Sequence, residues 1–237
     1  MATIDRYRFP TDLPREVALF PLRGAILLPR VTLPLNVFEP RYLAMVDDCL
    51  RGSRLIGIIQ PDQSANETLT SGLSSGGTSE SPGGKSIALQ RVGCAGRITA
   101  YQELDDGRIL ITLTGISRFV LSGETSHTAP YRTGICDFAP FANDLTPSLG
   151  EGDVDRDALL KVLKAYLAAN NLNTDWNAIT KSSTEFLVNA LSVMSPYGPV
   201  EKQALLESET LKSRSEVLIA LAEMDLAANG SAGGRMQ

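Results

Sequence analysis

The spacing of apolar residues changes period near Asp144, and this change constrains the fold more than any other feature of the chain. Before it, apolar residues come in short extended runs broken by prolines and glycines. After it, they recur every three or four residues, the period of a helix buried along one face. A chain that carries both patterns in that order is α+β, with strands first and helices second.

In the first part, residues 17–21 and 31–35 are apolar runs interrupted by proline. Proline donates no ladder hydrogen bond, so these strands are expected to be edges, bulged or brief. Gly24 permits a turn between them, and residues 26–28 read as another short extended piece. A helix is then predicted over 41–51. Pro40 suits its first position, Glu39 the positive end of its dipole and Gly52 its C-terminal cap. Leu43, Met45, Val46, Cys49 and Leu50 form its apolar side. Residues 55–60 give the strongest strand signal. A meander follows over 91–121, with a tight turn at Asp106-Gly107 and a break expected at Gly115; a last strand falls within 131–138. Six or so short strands and one helix plugging an end suggest a small closed or half-closed barrel.

Between residues 62 and 86, 16 of 25 residues are Ser, Thr, Gly or Pro. Such a segment buries too little apolar surface to offset its ordering entropy, so it reads as a mobile loop inside one domain. Residues 79–86, SESPGGKS, resemble a phosphate-binding loop with serine in place of the first glycine. The buried strand before and the helix after that such a loop needs are missing, so a glycine-rich linker is the reading and no cofactor is expected.

In the helical part, Asp153 and Asp155 can cap a helix with Leu159, Leu163 and Tyr166 on its apolar face, ending at Asn170. A shorter helix carries Trp176 and Ile179. Ser182 to Glu185 fits a capping box before Phe186, and Ser213 to Glu216 fits another before Val217. Pro199 begins the helix between them. The expected organisation is a β domain over 14–140, a helical domain over 150–228 and a frayed tail over 229–237.

Composition excludes several function classes. The one histidine, His127, lies in a polar stretch that reads as a surface loop, which leaves no multi-histidine metal site. Cys49, Cys94 and Cys136 are too far apart for zinc knuckles or a CxxC redox pair. Residues 1–140 hold 14 Lys+Arg and 14 Asp+Glu, and the remainder 8 and 13, so neither part has the basic footprint of a nucleic-acid binder. No run of 18 apolar residues occurs, and residues 1–11, with Asp5, Arg6 and Arg8 and no apolar run, do not read as a secretory signal, so a cytoplasmic protein is expected. The carboxylate pairs Asp47/Asp48 and Asp105/Asp106 fit a solvated helix face and a turn.

Two motifs occur in order: Leu19-Phe20-Pro21-Leu22, then Leu33-Pro34-Leu35-Asn36-Val37-Phe38-Glu39-Pro40-Arg41-Tyr42 with Met45. Arg91-Val92-Gly93-Cys94-Ala95, Asp106-Gly107 and Gly115-Ile116-Ser117-Arg118 follow. Together they resemble the N-terminal substrate-recognition domain of the Lon protease family, from about residue 16 to 137, and the helical part resembles the segment that follows that domain. The resemblance implies a PUA-like β pseudobarrel with one inserted helix, joined to a C-terminal α-helical bundle, and a role in recognising polypeptide. No intact Walker A motif occurs. Lys161, Lys164 and Lys181 sit on amphipathic helices with no serine partner, so neither ATPase nor peptidase activity is expected.

Two readings of the Phe38 to Tyr42 corner compete. In one it is a peptide-contact surface beside a sheet edge. In the other, which we favour, Phe38 packs in the core, Glu39 and Arg41 fix the corner and Tyr42 closes the barrel. No residue is therefore assigned as a catalytic, cofactor, metal or binding contact. The leading function is a non-catalytic module that binds unfolded segments or a particular protein partner. RNA binding by a PUA-like fold is the alternative, and an enzyme of unknown type ranks last.

Overall fold

The short apolar runs of the first part are realised, among the described residues, as six strands: β1 (Glu16–Pro21), β2 (Thr32–Val37), β3 (Leu55–Pro61), β4 (Leu89–Glu103), β5 (Ile109–Thr125) and β6 (Arg132–Asp137). The structure is a computed structural model that describes residues 6–62, 87–126, 128–170 and 174–233, with side chains described to residue 228. The phosphate-loop-like residues 79–86, nearly all of the Ser/Gly-rich segment, and His127 lie outside the described residues.

The strands form one sheet in the order β2-β5-β4-β3-β1-β6. Among the described residues the β1–β3 pair alone is parallel. β6 also pairs with the second half of β5, so the ladder from β5 through β4, β3, β1 and β6 returns to β5.

The meander consists of two long strands rather than several short ones, because Gly115 does not end β5. Its bare Cα instead admits a neighbouring segment: a Cβ there would stand 2.0 Å from the Leu28 carbonyl oxygen. Arg30, at φ 64°, donates its N–H to Gly115 O at 2.8 Å, and Gly115 donates to Val31 O at 2.9 Å. The extended piece expected over 26–28 is consequently not a strand. Ile26, Leu27 and Leu28 are buried to 1% exposure or less as an irregular segment laid across β5.

Helix α1 (Pro40–Arg51) begins after Glu39, whose side chain makes no cap hydrogen bond, ends at Gly52, the C-terminal cap expected for it, and buries Tyr42, Met45, Val46 and Cys49. The later helices are α2 (Arg156–Ala169), α3 (Trp176–Lys181), α4 (Thr184–Met194), α5 (Pro199–Glu207) and α6 (Leu211–Gly233). Asp155 caps α2 and Asp175 caps α3.

Both predicted capping boxes are displaced. Ser183, not Ser182, caps α4 by accepting from Phe186 N–H at 3.1 Å, while Glu185 turns away to Arg30. Helix α6 starts a turn before the second box, where Thr210 and Ser213 exchange hydrogen bonds of 3.0 Å. A box contributes only about 1 kcal/mol, so a tertiary partner for the glutamate outweighs it. Helix α6 also continues to Gly233, past Asn229 where a frayed tail is expected.

One apolar cluster joins the sheet, α1 and the later helices, with Phe20, Met45, Ile58, Leu113, Leu187, Leu205 and Leu218 among its members. A second, around Leu19, Ile59 and Phe119, lies apart from it and is completed by Phe138 edge-on to Phe119. Polar anchors reinforce the junction between sheet and helices. Gln60 donates to Pro199 O at 2.9 Å and Gln203 Oε1 at 3.0 Å. Lys161, Lys164 and Lys181 are exposed, as expected. Lys202 is buried and donates to Ser192 O and Val193 O at the end of α4. Among the described residues no helix is long and apolar enough to cross a membrane.

Candidate functional site

β2 is the end strand of the order and pairs only with β5 among the described residues. The Gly115-to-Val31 hydrogen bond sets the alternation along the pair, so positions 33, 35 and 37 bond to β5. The main-chain groups of Thr32, Pro34 and Asn36 face the open side. Pro34 has no N–H to offer, so this edge presents carbonyl acceptors at all three positions and amide donors only at Thr32 and Asn36. Proline at mid-edge also discourages uninterrupted pairing with a second copy.

The side chains of the same three residues are exposed. Across the ladder, Pro34 faces Thr112 and Ala100, and Asn36 faces Leu110 and Gln102. This stretch of sheet surface carries no charged side chain. Phe38 extends it past the end of β2 at 64% exposure, and Leu110 stands at 38%. The placement of Phe38 corrects the core assignment: Val37 takes the inward position at 1% exposure, and the two-residue period of a strand turns the next side chain outward.

The rest of the corner behaves as the structural reading expects. Arg41 donates to Glu39 Oε2 at 2.7 and 3.0 Å. Its guanidinium covers the Tyr42 ring at 4.5 Å, and Tyr42 packs on Phe20 with ring centroids 4.2 Å apart. Burial, foremost, raises the Tyr42 hydroxyl above its ordinary pKa. Tyr42 therefore anchors α1, and Phe38 is the aromatic of the motif that stays exposed.

Charges at the margins are already matched. Besides Glu39–Arg41, Asp106 accepts from the Arg108 main chain and side chain across the β4–β5 turn, at 3.2 and 2.7 Å. Asp48, in the other sequence pair, accepts from Tyr131 and Arg51. The carboxylate pairs thus hold local structure. Among the described residues no group of three or more metal-ligating side chains lies together.

Leu110 is the site residue that sequence reasoning passes over. Its signal is present: Ile109, Ile111 and Leu113 are the inward side of an alternating run, which puts Leu110 and Thr112 outside.

Comparison with known proteins places this geometry in a family context. A family model for the ATP-dependent protease La (LON) substrate-binding domain matches residues 16–223. The Lon protease of Flavobacterium johnsoniae is 25% identical over 212 residues, covering 86% of this chain and 23% of its own. That of Cytophaga hutchinsonii is 24% identical, covering 95% and 26%. Two solved structures share the fold: the Lon N-terminal domain protein from Xanthomonas campestris, with TM-score 0.56 at 19% identity over 86% of this chain and 97% of its own, and the N-terminal domain of Mycobacterium avium complex Lon protease, with TM-score 0.60 at 15% identity over 88% and 98%. The chain spans about a quarter of the length of the curated relatives it matches.

Proposed function

Since the chain belongs to the ATP-dependent protease La (LON) substrate-binding domain family, we propose that it is a non-catalytic polypeptide-recognition module, and that its recognition surface is the open edge of β2 with the adjoining sheet face. The observation that carries this reading is an uncharged strip, exposed at Pro34, Asn36 and Leu110 and half-buried at Thr112, beside main-chain acceptors that no described strand pairs with and ending in Phe38. An extended, unfolded segment brings main-chain N–H donors to Thr32, Pro34 and Asn36, and an apolar side chain to Phe38 and Leu110. Lack of charge on the strip suits a module that accepts segments of varied sequence.

In this reading the returning ladder of β5, β4, β3, β1 and β6 is the pseudobarrel of residues 14–140, and α2 to α6 are the helical bundle of residues 150–228. Three buried, unpaired thiols accord with a reducing, cytoplasmic setting. The RNA alternative gains no support from this face, which offers no unmatched cation for phosphate.

The test is fluorescence anisotropy with one labelled polypeptide in unfolded and native forms, with structured RNA as competitor. Saturable binding of the unfolded form is expected, unmoved by RNA and weakened at least about tenfold by Phe38→Asp or Leu110→Asp. Equal binding by wild type and both variants would place recognition elsewhere, and displacement by RNA would revive the alternative.

A further inference from the structure

A cleft of about 530 Å³ opens where the sheet, the segment 143–150 and the first turn of α6 meet. Three guanidiniums line it, those of Arg30, Arg118 and Arg214, against two buried carboxylates, Asp144 and Glu185. Asp144 is taken by Arg118, and Glu185 by Arg30. Arg214, 3% exposed, is left with neutral oxygens: Nε donates to Leu205 O at 2.9 Å, Nη1 to Asn189 Oδ1 at 2.8 Å and Nη2 to Ser208 O at 3.3 Å.

A buried cation without an anionic partner is costly unless something else supplies the countercharge. Burial, foremost, and then the neighbouring Arg118 lower the Arg214 pKa to about 9, while Asp144 and Glu185 oppose that shift without touching the guanidinium. Each guanidinium has five N–H groups, and the hydrogen bonds made here leave at least one unused on each of the three arginines. The N-terminal turn of α6 adds its positive dipole end at Leu211. On the rim, exposed Lys212 stands with exposed Asp153 and Glu209, where solvent screens all three.

We propose that this cleft is an oxyanion-binding site, in which a carboxylate or phosphate group supplies the negative charge that Arg214 lacks and takes the unused N–H groups of Arg30 and Arg118. The planar fork of a guanidinium matches both anions, so the shared chemistry is the oxyanion. The site is separate from the β2 edge, and the proposal does not rest on polypeptide recognition there.

The experiment titrates the full chain with inorganic phosphate, and separately with one short peptide as its free acid and as its amide, at ionic strength held constant with chloride. Calorimetry and the melting temperature are read. Saturable binding of phosphate or the free acid, with a raised melting temperature and no response to the amide, is expected; which of the two saturates identifies the source of the anion. Leu149→Glu tethers a competing carboxylate at the mouth, where Leu149 is 50% exposed, and leaves every arginine in place. It should weaken the added anion at least about tenfold, as should Arg214→Gln if that variant folds. Phe38→Asp should bind the anion as wild type does. The assignment is overturned if neither probe saturates, if the amide binds as well as the acid, if Leu149→Glu binds like wild type, or if Phe38→Asp abolishes binding.

Discussion

The Arg118 guanidinium and the Asp144 carboxylate meet side by side almost without solvent, with Nη2 2.8 Å from Oδ1 and Nε 2.9 Å from Oδ2. The Arg118 main-chain N–H reaches the same carboxylate at 2.9 Å, and Nη1 crosses to Leu206 O at the end of α5. One β5 arginine thereby ties the segment after β6 and the helices to the sheet. Removing one partner of a buried pair strands the other charge, so Asp144→Asn is expected to cost about 3–5 kcal/mol in urea unfolding. A loss below about 1 kcal/mol would give this pair no more weight than an exposed one.

Gly115 controls how close the 26–31 segment lies to β5. A methyl group there collides with main chain, which cannot rotate aside as a side chain does. Gly115→Ala should lower stability by about 1–3 kcal/mol, and Gly123→Ala, whose Cβ meets nothing within 4 Å, should cost much less. Equal losses would mean that the crowding at Gly115 relaxes freely.

Lys202 makes stability depend on alkaline pH. Burial lowers it from 10.5 to about 8, so between those values the unfolded chain holds a proton that the folded chain has released. The state that binds more protons there is the unfolded one, so this residue makes stability rise with pH through the window, while below about 8 the full cost of burying the charge is present. Lys202→Met also loses the bonds to Ser192 O and Val193 O, a cost that does not vary with pH. Denaturant midpoints should therefore shift in favour of wild type as pH rises through the window; a constant difference would remove Lys202 as the titrating group.

The cysteines should be inert in the folded chain. Burial pushes Cys49 and Cys136 up to about 12 and Cys94 higher still. A thiol reagent at neutral pH is expected to find none of the three quickly in native protein and all of them in denaturant. One fast equivalent would reveal a local opening beside that residue.

Phe38→Asp should leave stability within about 0.5 kcal/mol of wild type, since the ring is mostly in solvent. Thermal unfolding checks this before any loss of polypeptide binding is interpreted. A large destabilisation would return Phe38 to a packing role.

What the chain shows locally, the structure largely keeps. The bounds of α1, the Asp155 cap and the turn at Asp106-Gly107 depend on residues within a turn of one another, and such short-range energies are readable from adjacent letters. The exposure of Phe38 is legible too, because the two-residue period of β2 continues one residue past Val37. The capping box at Ser182 misleads because Glu185 has a distant partner in Arg30, and the one at Ser213 because Thr210, three residues earlier, takes the Ser213 hydroxyl and starts the helix a turn sooner.

The amino-acid sequence by itself determined the order of strands and helices, the family motifs and the absence of multi-histidine chemistry. Only the tertiary structure decided that Gly115 admits a crossing segment instead of ending a strand, that Glu185 meets Arg30 from 155 residues away, and that Arg214 has no carboxylate partner among the described residues. It also decided that β2 pairs on one side only among the described residues. Periodicity reports which face of an element avoids water. Which element then covers that face, and which buried charge finds its partner, depends on contacts between distant residues that no local pattern encodes.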